Sequence, residues 1–201
     1  LSYYGCVNYS FDGKYLLTAT VRRDASSRFS KDNRWGTFPS VALGWTLTQE
    51  PWLKDSKVIS NLKLRASYGV TGQQDGIGNY NYLPVYTSSV TGAEALINGN
   101  YIMTYRPEAY VENLKWETTT QYNIGLDYTM FNGSLYGTVD AYIKNIDDML
   151  INPAFIAVMG EGGNRWSNGP SLRDWGMEFT VGYRKTLACG LGLDLNGNLD
   201  F

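Results

Sequence analysis

Apolar and polar residues alternate along most of the chain. Between Leu1 and Phe11 the odd-numbered positions are mainly apolar, the even-numbered positions are mainly polar, and Asp12-Gly13 follows. An Asp-Gly pair after an alternating segment indicates a hairpin turn, because glycine accepts the positive φ that a tight turn requires. Such alternation gives a strand one apolar and one polar face, so we predict eight strands and no convincing helix. The seven further strands are predicted around Leu17–Val21, Val41–Leu47, Leu62–Tyr68, Tyr122–Tyr128, Leu135–Ile143, Trp175–Tyr183 and Leu191–Leu199.

Alternation alone fits two kinds of fold. A soluble β-sandwich turns its apolar faces inward, whereas a transmembrane β-barrel turns them outward to lipid. Strand length favours the barrel, because segments of roughly 10–14 residues exceed the usual length of about 5–6. Aromatic residues at the ends of apolar stripes, such as Trp175 and Tyr183, favour it too. We therefore predict an all-β, antiparallel sector of a transmembrane β-barrel.

The lengths of the connections point the same way. Outer-membrane barrels have short periplasmic turns and longer outer loops. One connection, Glu50–Asn61, is longer than its side of the barrel requires, and we expect Pro51-Trp52-Leu53 to pack there. The other connections alternate as the rule demands: Asp12-Gly13, Asn132-Gly133 and Leu187–Gly190 are short, while Asp24–Arg34, Gln73–Lys115 and Ile151–Arg173 are long.

The alternation also assigns side chains to faces. Charged residues on the polar face would face a wet or plugged lumen, because burying them in an apolar core is costly. They are Lys63, Arg65, Asp127, Asp140, Lys144, Glu178, Arg184 and Asp194. The residues predicted to face lipid are Leu17, Val21, Leu43, Trp45, Ile124, Leu126, Val139, Phe179, Val181 and Leu193.

Composition removes several classes of function. The 201 residues include no histidine, which excludes Ser-His-Asp and Cys-His dyads and imidazole metal sites. A formal net charge of −2 is unfavourable for nucleic-acid binding. Asp147-Asp148 are adjacent and would point to opposite faces of a strand, so they form no acid–base pair. We expect neither an enzyme nor a resident cofactor or metal. With two cysteines, Cys6 and Cys189, one disulfide is possible, but the count does not decide whether it forms.

Several stretches resemble the SusC/RagA family of TonB-dependent outer-membrane transporters. They follow one another in the family's order and spacing and cover most of residues 15–150. These stretches are Val21-Arg22-Arg23-Asp24-Ala25-Ser26-Ser27-Arg28-Phe29, Asn33-Arg34-Trp35-Gly36-Thr37-Phe38-Pro39-Ser40, Ile59-Ser60-Asn61-Leu62-Lys63-Leu64-Arg65-Ala66-Ser67-Tyr68-Gly69-Val70-Thr71-Gly72-Gln73, Asn113-Leu114-Lys115-Trp116-Glu117-Thr118-Thr119 through Asn123-Ile124-Gly125-Leu126-Asp127, and Tyr142-Ile143-Lys144 with Asp148-Met149-Leu150.

The resemblance carries expectations about the whole protein. It implies a bacterial outer-membrane barrel of about 22 strands, plugged by a separate domain. Residues 1–201 would form part of that barrel, with the plug and the remaining strands elsewhere. Such transporters work with a SusD-like surface lipoprotein, draw energy through TonB and import glycans or oligopeptides. The alternative is a soluble all-β surface module that binds ligands as a lectin or an adhesin does.

Candidate contact residues lie in the long connections. Tyrosine offers an apolar face and a hydroxyl, which suits sugar stacking or a protein interface. Self-packing of an ordered loop, with a short hairpin inside it, is the structural alternative. The candidates are Tyr80, Tyr82, Tyr86, Tyr101, Tyr105, Phe155 and Trp166. The family-like motif residues Asp24, Arg28, Phe29, Arg34 and Trp35 are expected to be structural, with Asp24, Arg28 and Arg34 pairing to hold a loop.

Overall fold

The predicted strands form one antiparallel sheet. The computed structural model describes residues 1–87, 94–154, 164–187 and 189–201. Eight long strands in the order β1-β2-β3-β4-β9-β10-β13-β14 make up the main sheet, which is open at β1 and β14 within the described residues. The strands are β1 (Ser2–Phe11), β2 (Tyr15–Ala25), β3 (Trp35–Thr46), β4 (Ile59–Gln73), β9 (Glu117–Met130), β10 (Leu135–Asp147), β13 (Leu172–Thr186) and β14 (Gly192–Asp200).

Short strands occupy the long connections. Glu94–Ile97 (β6) and Asn100–Met103 (β7) form the short hairpin expected there, with Asn98 and Gly99 at positive φ in its turn. The remaining short strands pair as two ribbons: β5 (Tyr86–Thr87) with β8 (Arg106–Pro107), and β11 (Leu150–Ile151) with β12 (Ser167–Asn168).

Tight turns close the hairpins at one end of the sheet. Asp12 and Gly13 have φ of 54° and 62°, and Asn132 and Gly133 have φ of 55° and 89°. Asn and Asp tolerate this conformation and glycine adopts it freely, which is why these pairs end β1 and β9. The β3–β4 connection differs, since it holds a 3-10 helix at Leu47–Gln49 that alternation does not predict. Within the described ranges, no helix is long and apolar enough to cross a membrane.

Candidate functional site

The strand register separates the sheet into two chemically different faces. All ten residues predicted to face lipid lie on one of them, which we call the apolar face. One row across it pairs Leu64 with Leu126, Leu126 with Val139, and Val139 with Phe179. Within the described ranges, no other part of the chain covers this face: Ile124 is 55% exposed and Val181 is 51% exposed. The apolar side chains therefore need a partner that is not water.

Aromatic side chains border the apolar face at both ends. Beside the long connections, the rings of Tyr3 and Trp35 stack with centroids 6.1 Å apart. Beside the tight turns, Tyr15 stacks between Phe11 and Trp45 at 6.5 Å and 6.2 Å. Tyr3 and Phe11 are eight positions apart on one strand, which corresponds to roughly 26 Å along it. With a strand tilt of about 40°, the apolar band between the two belts is on the order of 20 Å deep.

The opposite face, which we call the polar face, carries a three-strand ion cluster. The Arg65 guanidinium donates from Nε to Asp127 Oδ2 at 2.9 Å and from Nη2 to Asp140 Oδ2 at 3.0 Å. Gly125 lies between Arg65 and Asp140 in the register. A Cβ at that position would collide with Asp140 Oδ1 and Arg65 Nη2. Glycine therefore leaves room for the arginine to cross β9 and bind carboxylates on two strands.

A second polar cluster lies two strands further along. Asp194 Oδ1 accepts from the Tyr136 hydroxyl at 2.7 Å, and its Oδ2 accepts from Arg184 Nε at 3.0 Å. The Arg184 guanidinium lies 5.1 Å from the centroid of the Tyr136 ring. In both polar-face clusters an arginine binds carboxylates, so this face presents fixed hydrogen-bonding groups that suit contact with water or a polar solute. No group of acidic or cysteine side chains that could hold a metal ion occurs among the described residues.

The buried core of the described ranges lies beside the long connections. The Trp116 ring packs between Phe29 at 4.9 Å and Phe38 at 5.5 Å. Phe29 comes from the β2–β3 connection and the neighbouring Ile77 and Leu114 from the β4–β9 connection. Burial of these five side chains, which we call the loop core, fixes the bases of the long connections on the sheet. Its members are Phe29, Phe38, Ile77, Leu114 and Trp116.

The family-like motif holds the loop by other contacts than those expected. Asp24 pairs with Arg22 at 2.7 Å, because both side chains leave the same face of β2 two residues apart. Arg28 instead reaches the carbonyl of Gln74 at 3.1 Å. The Arg34 carbonyl accepts from Trp116 Nε1 at 3.3 Å. The expected pairing among Asp24, Arg28 and Arg34 is therefore wrong: the Arg28 side chain binds a backbone carbonyl, and Arg34 contributes its own backbone carbonyl as an acceptor. Of the two remaining motif residues, Phe29 is in the loop core and Trp35 is in the aromatic belt.

Asn168 joins two long connections, a role that the sequence alone does not predict. Its Oδ1 accepts from the Lys115 backbone N–H at 2.8 Å. Its Nδ2 donates to the carbonyls of Lys115 at 3.0 Å and Asp148 at 2.9 Å. An asparagine in a polar loop is common, so no local signal distinguishes this one.

The structure separates the predicted contact residues into two groups. Tyr80, Tyr86, Tyr101 and Tyr105 are exposed, and Tyr101 is the most exposed of them at 76%. Tyr82 and Trp166 are half-buried.

Trp166 packs against the loop core, and its ring lies over Gly76. Phe155 lies outside the described residues. Cys6 and Cys189 are both exposed and free.

An exposed apolar band between aromatic belts, backed by a charged face, defines the wall of a membrane barrel. A profile of the family described as "TonB dependent receptor-like, beta-barrel" matches residues 1–201. The chain is 43% identical over 199 residues to the "TonB-dependent receptor SusC" of Bacteroides thetaiotaomicron, covering 99% of this chain and 20% of that protein. It is 38% identical over 156 residues to the "TonB-dependent receptor P39" of Formosa agariphila, covering 75% and 14%.

Solved structures agree with the sequence relatives. The chain superposes on the structure of "the RagAB peptide importer in the 'closed-closed' state" with a TM-score of 0.82 and 28% identity, over 99% of this chain and 21% of that one. The chain belongs to the TonB-dependent receptor β-barrel family and is of the SusC/RagA type. It spans about a fifth of the length of SusC.

Proposed function

We propose that this chain forms part of the wall and outer loops of a bacterial outer-membrane transporter that imports glycans or oligopeptides. The observation that carries the proposal is the pair of faces: a single sheet exposes an apolar band on one side and paired charges on the other. In this proposal the ten predicted residues of the apolar face contact lipid. The polar face lines the lumen of a larger barrel, which other parts of the protein complete.

Two adjacent residues at the middle of β9 test the membrane location. Ile124 lies on the apolar face and Asn123 on the polar face. In the full-length receptor, Ile124→Arg should destabilise the barrel by about 2–4 kcal/mol, the cost of an arginine on the lipid face at the bilayer midplane. Asn123→Arg adds the same charge toward the lumen and should cost far less.

The measurement is urea unfolding of both variants in lipid vesicles, followed by tryptophan fluorescence. Equal destabilisation by the two substitutions would contradict the lipid-facing assignment. A receptor that stays monomeric and folded without detergent or lipid would favour a soluble binding module instead.

The exposed tyrosines of the β4–β9 connection are the proposed cargo or partner contacts. RagAB, on which the chain superposes, is a peptide importer. Tyr101 and Tyr105 are both more than two-thirds exposed, at 76% and 71%. Aromatic rings with hydroxyls suit stacking on sugars and packing on peptides.

Uptake tests this role in cells that depend on the full-length receptor. Cells carrying Tyr101→Ala with Tyr105→Ala should take up labelled glycan or oligopeptide more slowly than wild-type cells. Tyr9→Ala, on the apolar face, removes the same kind of side chain and serves as the matched control. If loop and wall variants import equally well at equal receptor levels, the loop tyrosines are not contacts.

Partners follow from the family in the same way. We propose a SusD-like lipoprotein at the outer loops and TonB as the energy source. Affinity purification of the tagged full-length receptor from outer membranes should recover the lipoprotein, and deleting the TonB gene should abolish uptake. Uptake that persists without TonB would contradict the energy source.

A further inference from the structure

The β3–β4 connection is unusual among the connections at its end of the sheet. The other three are short, whereas residues 47–58 form a longer segment that begins with the 3-10 helix. Alternation gives no reason for this length. Trp52 was expected to pack within the connection. This expectation is wrong, because the Trp52 side chain is 68% exposed.

Three donors tie this connection to the apolar side of the wall. Glu50 Oε1 accepts from Trp45 Nε1 and from the Tyr15 hydroxyl, both at 3.0 Å. Glu50 Oε2 accepts from Lys14 Nζ at 3.2 Å. Tyr15 and Trp45 are the stacked belt residues of the apolar face. Lys14 Nζ also lies on this side, 5.7 Å from the centroid of the Tyr15 ring.

The segment that follows Glu50 folds back on it. The backbone N–H groups of Leu53 and Lys54 both donate to the Glu50 carbonyl, at 3.0 Å and 2.9 Å. Pro51 and Trp52 therefore form the tip of a turn whose base is fixed beside the aromatic belt. Lys54, Asp55 and Lys57 follow within the same connection and are all exposed, so two lysines outnumber one carboxylate there.

We propose that residues 47–58 are a membrane-interface anchor, in which Trp52 inserts among the phospholipid headgroups of the periplasmic leaflet. The proposal rests on the proposed function, since it needs the apolar face to be in lipid. Indole rings favour the boundary between headgroups and acyl chains because they are apolar and carry one N–H donor. The site continues the belt of Phe11, Tyr15 and Trp45, and the lysines complement the headgroup phosphates.

Fluorescence quenching in lipid nanodiscs tests this anchor. The full-length receptor is placed in nanodiscs of phosphatidylethanolamine and phosphatidylglycerol, with phosphatidylcholine brominated either near the headgroup or deep in the acyl chain. The difference between wild type and Trp52→Phe reports Trp52 alone. We expect the bromines near the headgroup to quench this difference signal more strongly than the deep bromines.

Two other tryptophans calibrate the measurement. Trp175, exposed on the apolar face, should be quenched, as judged from Trp175→Phe. Trp166, packed on the loop core, should not be, as judged from Trp166→Phe. If Trp175 is quenched and Trp52 is not, the anchor is overturned while the membrane wall stands. If neither is quenched, the proposed function fails and the anchor fails with it.

The role of Glu50 is tested in the same nanodiscs. Glu50→Ala removes the acceptor for all three donors but leaves Trp52 in place. The Trp52 signal in this background is the fluorescence of Glu50→Ala minus that of the double variant Glu50→Ala/Trp52→Phe. Bromines near the headgroup should quench it less than they quench the Trp52 signal of the wild-type receptor. Unchanged quenching would show that the carboxylate does not orient the turn.

Discussion

The two ends of the sheet hold their connections by opposite means. Beside the long connections, the loop core buries apolar side chains from three chain segments, and Phe29 and Leu114 are fully inaccessible. Beside the tight turns, the β3–β4 connection is held by three hydrogen bonds to one carboxylate, Glu50. The long-connection end combines a desolvated core with polar bridges such as Asn168, whereas the β3–β4 connection depends on hydrogen bonds to one carboxylate that is 13% exposed.

The difference fits what each end is proposed to do. Apolar burial is strong and independent of pH, so the loop core can keep large outer loops in one geometry for partner or cargo contact. The hydrogen bonds to Glu50, a mostly buried carboxylate, contribute less than the packing of several apolar side chains and depend on the charge of Glu50. They suffice to aim a short turn, and they leave its tip free to meet the headgroups.

The largest effect is expected at the loop core. Phe29→Ala removes a fully buried ring that packs on Trp116, and such truncations cost about 3–5 kcal/mol. The loss should appear as faster proteolysis of the outer connections in the full-length receptor, because these residues fix the loops and not the hairpins. Phe29→Leu keeps most of the apolar volume and is the control. Equal cleavage rates for the two variants would show that the ring does not hold the loops.

A smaller effect is expected at the polar bridge between two outer connections. Asn168→Ala removes three hydrogen bonds to backbone groups, two of them exposed to solvent. The cost should be about 1–2 kcal/mol, because exposed bonds contribute near the low end of the roughly 0.5–1.5 kcal/mol net of a typical hydrogen bond. Asn168→Asp keeps the acceptor for the Lys115 N–H but loses both donors. Hydrogen exchange of the Lys115 amide should therefore accelerate in Asn168→Ala and stay slow in Asn168→Asp. Acceleration in both variants would show that the hydrogen bonds donated by Asn168 Nδ2, and not the acceptor Oδ1, protect the Lys115 amide from exchange.

The sheet and the family could be read from the sequence because their signals are local. Each signal, whether the alternation of a strand or a turn such as Asp12-Gly13 or Asn132-Gly133, is contained within a few consecutive residues. The eight predicted strands are confirmed, and so is the resemblance to the SusC/RagA family. Side-chain alternation is a property of every strand, so it also sorted residues onto two faces before any register was known.

The contacts between elements could not be read in this way. Arg65 was placed on the polar face, but its pairing with Asp127 and Asp140 depends on the register of three strands. Glu50 lies 35 positions from Tyr15, and no local pattern links the two. The Arg28 side chain binds a backbone carbonyl, and Arg34 is held through its own carbonyl; every residue offers such a carbonyl, so the sequence around these arginines does not reveal their partners.

The smallest effect, and the one that separates the two ends most cleanly, is the response to acid. The hydrogen bond from Trp45, with those from Lys14 and Tyr15, lowers the pKa of Glu50 below its ordinary value, although partial desolvation opposes the shift. Because the folded-state pKa is the lower one, this stabilisation is complete above the unfolded-state pKa. It is lost as the pH falls through the folded-state pKa.

Glu50→Gln removes the charge and is the matched variant for this titration. Near neutral pH the wild-type β3–β4 turn should resist proteolysis better than the Glu50→Gln turn, and this advantage should disappear in acid. The outer connections should show no such difference between the two proteins, since the loop core contains no titrating side chain. An advantage of the wild-type turn that persists at low pH would mean that the carboxylate charge is not what holds the turn. If acid also weakened the protease resistance of the outer connections in the wild type but not in Glu50→Gln, the carboxylate would act on both ends of the sheet, and the proposed difference between the ends would be wrong.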